Sequence, residues 1–381
     1  MDLRDTPEEA AFRAELRAWL DANLPEEHRG WRGGAQRFDD AFGREWSRLL
    51  FDGGYAGLTW PKEYGGAGAP YSYQAIFLEE MARAQAPAHV GVIGIGMAGP
   101  TIMVHGTEEQ KQARLSKILS AEEIWCQGFS EPGAGSDLAA VRTRMERRGD
   151  VFVVNGQKVW SSFAHIADWC ILVGLSDPDA ARYKGLTYMI VDMRSPGVDV
   201  RPLRQITGEA EFNEIFFTDV EVPVENLLGA EGEGWQVAMT TLLHERGTLG
   251  FALTAALEVG VNRLLEVARE RANGDGLARD RVAREWIELQ ALRYTNYRAL
   301  TTYDRTGIPG PEGSVAKLRW SEQNQRLTKL ARDLLGEEGI LDDGWWHYQQ
   351  LRSRGNTIEA GTSEVLRNII AERVLGLPRS R

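Results

Sequence analysis

Cysteine is scarce: Cys126 and Cys170 are the only two in 381 residues, and no CxxC pair exists. A disulfide framework or a zinc cluster of cysteines needs more thiols at closer spacing, so neither holds this chain together. Six histidines are scattered with no HxxxH or HExxH, which removes the helical zinc-hydrolase pattern. Positive charge is in deficit. The formal net charge is −11 and the pI is near 5.3. Nucleic-acid backbones and anionic membrane surfaces are recognised by basic patches, so neither is an expected partner. Long apolar runs are also missing. The stretch 91–104 is the longest weakly polar one, and glycines and Pro100 interrupt it well short of a bilayer span. The N-terminus, MDLRDTPEEAAF, lacks the basic-then-apolar order of a secretory signal. A reducing, cytoplasmic setting is the expectation from these absences.

What remains is ordinary globular composition, 43% apolar and 26% charged. At roughly 150 residues per domain the length suits two or three domains, with ample core. Residues 1–122 read as helical. Phe12, Leu16, Trp19 and Leu20 recur at helical spacing, and Thr107 followed by acids marks a helix start at 108. The Gly- and Pro-rich stretch 53–70 reads as loop. From 123 to 230 the period changes to that of strands. VFVVNGQKVW (151–160) reads as two β runs around an Asn-Gly turn, a hairpin signal, and 171–175, 186–192 and 211–222 read as further strands. From 231 to 381 helical periodicity returns. Gly247 and Gly250 suggest close packing inside the first long helix, and 362–376 forms a final helix capped by Thr362 or Ser363. The expected class is α+β: an N-terminal helical domain, a middle β-barrel or sandwich, and a C-terminal domain like a four-helix bundle.

Four segments carry potential chemistry. Gly94-Ile-Gly96-Met-Ala-Gly99 matches GxGxxG, but helix-like sequence precedes it and Pro100 follows it, so it is not read as a dinucleotide fingerprint. Gln127 to Asp137, QGFSEPGAGSD, could aim backbone N–H groups at a ligand, and glycine content alone equally allows a simple turn. Glu245 falls on a helix face with Ala238, Thr241, Leu242, Thr248, Leu249 and Ala252. A carboxylate there would lose water and become more basic, which suits proton abstraction. A structural ion pair is the commoner use of such a glutamate. The turn at 360–364, AGTSE, could bind phosphate at a helix N-terminus or could be an ordinary cap.

Taken together, EPGAGSD, NGQKVWSS, FNEIFFTDVEVP and the terminal AGTSEVLRNIIAERVLG, in an α–β–α order, resemble the acyl-CoA dehydrogenase family over nearly the whole chain. The actinobacterial branches are the nearest in pattern. The resemblance implies non-covalent FAD, removal of an α-proton and a β-hydride from an acyl-CoA thioester, and a trans-2-enoyl-CoA product. It also implies FAD N5 as hydride acceptor and an electron-transfer flavoprotein as the oxidant of the reduced cofactor. It places Gln127, Phe129, Ser130, Trp160 and Ser162 at the flavin ring, with Thr362 and Glu364 at the FAD pyrophosphate and ribityl region. Ser136, Arg246, Ala360 and Gly361 fall at substrate positions. Many members carry a glutamate base directly before the Gly-Thr of the last motif, where this chain has Ala360. Members resembling isovaleryl-CoA dehydrogenase carry it before the arginine of the long helix instead, and here that residue is Glu245; Glu359 is the alternative.

The chain also departs from the family pattern. Arg-x-x-Phe-Gly becomes Arg271-Ala-Asn-Gly-Asp, and Gln-x-x-Gly-Gly-x-Gly becomes Asp333-Leu-Leu-Gly336-Glu-Glu-Gly339. By resemblance Arg271 and Gly336 contact the FAD of a neighbouring subunit, so an oligomer is expected, either a dimer of dimers or a heterotetramer. The second reading is a partner subunit that shares or lacks FAD. A third is a dehydrogenase of a carrier-protein-bound acyl group, or an oxidase. Ala360 frees space at the site and points to a branched or large acyl chain.

Overall fold

The computed structural model describes residues 4–29, 40–247, 249–306, 310, 312–341 and 344–379; the side chains of 40, 245–247, 249, 304 and 312 also lie outside that description. Five helices come first: α1 (Pro7–Asn23), α2 (Asp40–Asp52), α3 (Tyr71–Arg83), α4 (Gly99–His105) and α5 (Glu108–Leu119). Seven strands follow: β1 (Trp125–Gly128), β2 (Arg144–Arg148), β3 (Val151–Ser162), β4 (Trp169–Leu175), β5 (Leu186–Asp192), β6 (Val198–Leu203) and β7 (Phe212–Pro223). Then come α6 (Gly234–Gly247), α7 (Leu249–Arg271), α8 (Gly276–Thr306), α9 (Glu312–Leu335), α10 (Glu338–Leu341), α11 (Trp345–Asn356) and α12 (Ser363–Ile369). They gather into two compact units. One holds α1, α3 and α7 to α12; the other holds α2, α4, α5, the sheet and α6 as far as Glu245.

Local chemistry sets the early helices. Thr6 and Thr107 each form a capping box, with Glu9 and Gln110 respectively, which satisfies donors at the starts of α1 and α5. The segment 94–98 is a π-helical turn running into α4, with no strand before it. Two of the motif's glycines serve packing: a Cβ on Gly94 would lie 2.9 Å from the Ile118 side chain, and one on Gly99 would lie 2.0 Å from the Trp60 ring.

The sheet runs β1-β4-β2-β3-β7-β6, with β5 on the other edge of β4. It curls, and the alternation of side chains along β4 shows how. Ile171 and Val173 pack with Ile102, Leu119 and Ala238 from the helices, whereas Cys170 and Leu172 pack with Phe152 and Ile215 from β3 and β7. Strands β4, β5 and β7 match the sequence expectation closely. β1, β2 and β6 went unread, because β1 is four residues long and the RMERR of β2 has a single buried residue, Met145.

One expectation is overturned. Asn155-Gly156 is not a hairpin turn; β3 runs through it for 12 residues. The turn lies at Gly149-Asp150, between β2 and β3, where Gly149 has φ +63°. The Asn-Gly pair serves a bulge in β7. Asn155 Nδ2 donates to Asp219 Oδ1 at 3.0 Å, and Asp219 N–H donates to Asn155 Oδ1 at 2.9 Å. Gly156 allows close approach, since a Cβ there would sit 2.7 Å from Thr143 Cα.

In the helical unit α9 is central, with α7, α8 and α11 against it and α3 packed on α7. Leu257, Val261, Leu264, Leu289, Leu327 and Leu330 form its core. Residues 234–247 and 249–271 are both helical, as expected for the helix through Glu245; Thr248 lies outside the described residues. Gly250 does mark close packing: a Cβ there would meet Asn296 Oδ1 at 2.9 Å. The terminal helix starts at its expected Thr362 cap; α12 runs directly into a π-helical turn, Ile370–Val374, and Gly376 follows with φ +65°. Among the described residues no helix is long and apolar enough to cross a membrane.

Candidate active site

In the sheet unit, two of the expected flavin-lining segments are brought together. The loop after β1 lies along β3: Val159 N–H donates to Ser130 O at 2.9 Å, and the Lys158 ammonium donates to Phe129 O at 2.9 Å. The Phe129 ring is buried edge-on against Tyr188, with centroids 5.8 Å apart. Gln127 pairs with Ile171 across β1 and β4 and is half-buried.

Trp160 is the outlier of this surface. Val159 and Trp160 of β3 stand opposite the single residue Glu214 of β7, a bulge between the Lys158–Ile215 and Ser161–Asn213 pairs. Trp160 has φ +63° and is 61% exposed, its ring edge-on against Phe212. A bulky residue in left-handed backbone costs about 1–3 kcal/mol, and such strain concentrates at functional sites. Ser162 pairs with Phe212 beside it, and Phe163 repeats the left-handed backbone at φ +60°. Ser136 is exposed, one residue before Asp137, which is ion-paired to Arg182.

Helix α6 is seated on this unit by buried hydroxyls. Thr241 Oγ1 lies 2.9 Å from Thr101 Oγ1 and 3.0 Å from Tyr188 OH, and Ala238 is fully buried. Desolvation raises the Tyr188 phenol well above its usual range, so it remains a neutral hydroxyl. His244 is held below the usual imidazole value by burial. Glu245 follows Thr241 by one helical turn; its side chain and that of Arg246 lie outside the described residues.

In the helical unit the segment 356–364 is tightly held. The ammonium of Lys317, buried on α9, donates to Asn356 O at 2.8 Å and to Gly361 O at 2.7 Å. Asn324, Gln325 and Thr328 extend the same contacts to Asn356, Ser353 and Thr357. Ala360 and Gly361 are both left-handed, at φ +49° and +93°, and the N–H of Ala360 has no partner among the described residues. Thr362 caps α12 by accepting from Val365 N–H at 3.2 Å, and Glu364 projects into solvent. Glu359 is already engaged. Both Arg352 guanidinium nitrogens reach it, at 3.1 and 2.9 Å, and Asn356 Nδ2 donates to it at 2.8 Å. Arg271 and the Gly336 turn do converge: Arg271 pairs with Glu338 at 2.6 Å, and Gly336 has φ +61°. Asp333 binds Arg281 and Lys329 instead.

Sequence reasoning missed Lys158 and Lys317. Both signals were present. Lys158 is a charge inside an apolar β run, and Lys317, Ser321, Asn324 and Thr328 form a polar stripe at helical spacing.

Three family models match the chain in order: acyl-CoA dehydrogenase N-terminal domain at 6–122, middle domain at 126–220 and C-terminal domain at 232–375. The acyl-CoA dehydrogenase IpdE1 of Mycobacterium tuberculosis is 44% identical over 380 residues, covering 97% of each chain. The chain belongs to the acyl-CoA dehydrogenase family. The fold of this dehydrogenase also matches the solved Tcur3481-Tcur3483 steroid ACAD, with TM-score 0.88, 32% identity and 100% of each chain covered. It matches the ChsE4-ChsE5 complex from Mycobacterium tuberculosis with TM-score 0.87, 30% identity and 100% of each chain covered. An acyl-CoA dehydrogenase is an oxidoreductase acting on acyl-CoA, and the family is FAD-dependent.

Proposed function

We propose that this enzyme dehydrogenates a bulky acyl-CoA across its α and β carbons, with Glu245 as the base that takes the α-proton. The observation that carries the assignment is the environment of its rival. Both Glu359 carboxylate oxygens already accept from Arg352 and Asn356, so an approaching substrate would have to displace those donors. Ala360 has no basic side chain, which leaves Glu245 as the carboxylate of the family's two known positions. The free N–H of Ala360 supports a role as donor to the thioester oxygen, where negative charge develops as the proton leaves. Arg246 and Ser136 take the CoA arm and Gly361 lets the chain pass close to the thioester.

The residues fit FAD. An exposed indole on a strained bulge suits the face of a planar ring, and the rigid Phe129–Ser130 segment beside it supplies backbone and hydroxyl groups for a polar edge. Gln127 and Ser162 complete that surface, with Thr362 and Glu364 for the pyrophosphate and ribityl portion. Bound there, FAD supplies the hydride acceptor at N5. An electron-transfer flavoprotein then removes the electrons. The alanine at 360 and the steroid ACAD relative favour a polycyclic or branched acyl group. Arg271 and the Gly336 turn serve a neighbouring subunit's cofactor.

Anaerobic stopped-flow with an acyl-CoA panel that includes polycyclic thioesters tests this reading. Glu245→Gln should bind substrate and bleach the flavin about 10²–10⁴-fold more slowly, whereas Glu359→Gln should change the rate little. The reverse order would transfer the role to Glu359. A second reading, a partner subunit in a heteromeric enzyme, is favoured by the departures at 272–275 and by the two-component names of the solved relatives. A chain that stays colourless when purified alone with FAD and turns yellow only with a partner would establish it.

A further inference from the structure

We propose that Lys158 and Glu131 are positioning residues whose ion pair sets the spacing between the Phe129–Ser130 segment and the bulged Trp160–Ser162 segment. This rests on the reading that those two segments line the flavin. The Lys158 side chain is completely buried and that of Glu131 is 9% exposed; they meet at 2.8 Å. The ammonium also donates to Phe129 O at 2.9 Å. The carboxylate is shared further, accepting from Arg142 N–H at 2.7 Å and Thr143 N–H at 2.9 Å. Three separate stretches of chain therefore converge on one pair of charges: the loop after β1, the entry to β2, and the middle of β3.

Stability does not require this arrangement. Burying an ammonium and a carboxylate costs several kcal/mol before the pair repays it, and apolar side chains of similar volume at both positions would fill the space without that cost. What the lysine does that a methionine cannot is hold two acceptors at set distances. Val159 N–H to Ser130 O adds a second tie one residue along β3, and the bulge that throws Trp160 outward begins there. The pair thus sits directly behind both ring-lining segments, and neither residue presents its charge to the surface. Glu131 also belongs to the EPGAGSD turn, so the clamp fixes the root of that turn as well.

The test uses the full-length flavoprotein and its apo form, with Lys158→Met, Glu131→Gln and the double variant. FAD affinity is read by titrating apo protein, and ring environment by the visible absorption and circular dichroism of bound flavin. Lys158→Met should weaken FAD about tenfold or more and shift the flavin bands, with far-ultraviolet dichroism unchanged. The double variant should be no worse than Lys158→Met alone, because the partners act as one unit. If Lys158→Met does not fold, Glu131→Gln decides: it keeps an acceptor for the ammonium, and should leave affinity within a few-fold of wild type while shifting the flavin spectrum. Wild-type affinity and spectrum in whichever of these two variants folds would overturn the proposal. Trp160→Ala serves as the control. If it too leaves FAD binding untouched, the flavin-surface reading itself has failed; if it alone weakens binding, only the clamp has.

Discussion

Replacing Trp160 by alanine should separate cofactor binding from folding. An indole presents roughly 200–250 Å² when free. At 61% exposure, roughly 120–150 Å² of it remains open on this bulge. A planar ring laid on one face would cover about half of that. At about 25 cal/mol per Å² the burial contributes about 1.7 kcal/mol, and stacking adds about 0.5–1.5 kcal/mol. The total, about 2–3 kcal/mol, corresponds to FAD binding weakened about 30- to 150-fold in Trp160→Ala. The apo protein should scarcely notice. The indole is mostly exposed beside an edge contact with Phe212, and alanine keeps the same left-handed backbone with less bulk. Titration of apo protein with FAD, followed by quenching of flavin fluorescence, gives the first number; thermal melting of the apo form gives the second. An affinity within threefold of wild type, or a large fall in apo melting temperature, would refute the reasoning, because either result would make Trp160 a structural residue.

Further outcomes follow for two buried groups and for two glycines. His89 uses both ring nitrogens, with Nε2 to Leu119 O at 3.0 Å and Nδ1 accepting from Gly91 N–H at 2.9 Å, and burial pushes it down to about 4. Between the ordinary 6.5 and about 4 the unfolded chain takes up a proton that the folded chain refuses. Stability should therefore fall by up to about 3 kcal/mol as pH drops through that window and be unaffected above it. His89→Gln should flatten that part of a stability–pH curve, and equal slopes in both proteins would exclude the assignment. Lys317→Met strands the carbonyls of Asn356 and Gly361, so amides of 356–364 should exchange about 10- to 100-fold faster by hydrogen exchange. Gly156→Ala should cost about 1–3 kcal/mol in denaturant unfolding, because its Cβ meets Thr143 backbone. Gly149→Ala should cost less: it has open space, and only its left-handed backbone objects.

By itself the sequence determined the α–β–α order, most element positions and the family. Those are local signals: period 3.6 against period 2, the Thr107 helix start, and long motifs whose residues adjoin in the chain. It pointed to the Phe129–Ser130 and Trp160–Ser162 segments for the same reason. Only the tertiary structure decided three other things. Asn155-Gly156 carries a strong turn signal locally, yet pairing with β7 and contact with Thr143 keep it in a strand, because ladder hydrogen bonds and packing outweigh a propensity of about 1 kcal/mol. Glu359 stands one residue from the usual base position, and nothing in the chain order shows that Arg352 and Asn356 already hold it. The fold buries Lys158 and Lys317 and aims each at carbonyls remote in sequence. The local pattern marks both lysines as out of place, but the carbonyls each one reaches are brought from far along the chain, so only the fold names the partners.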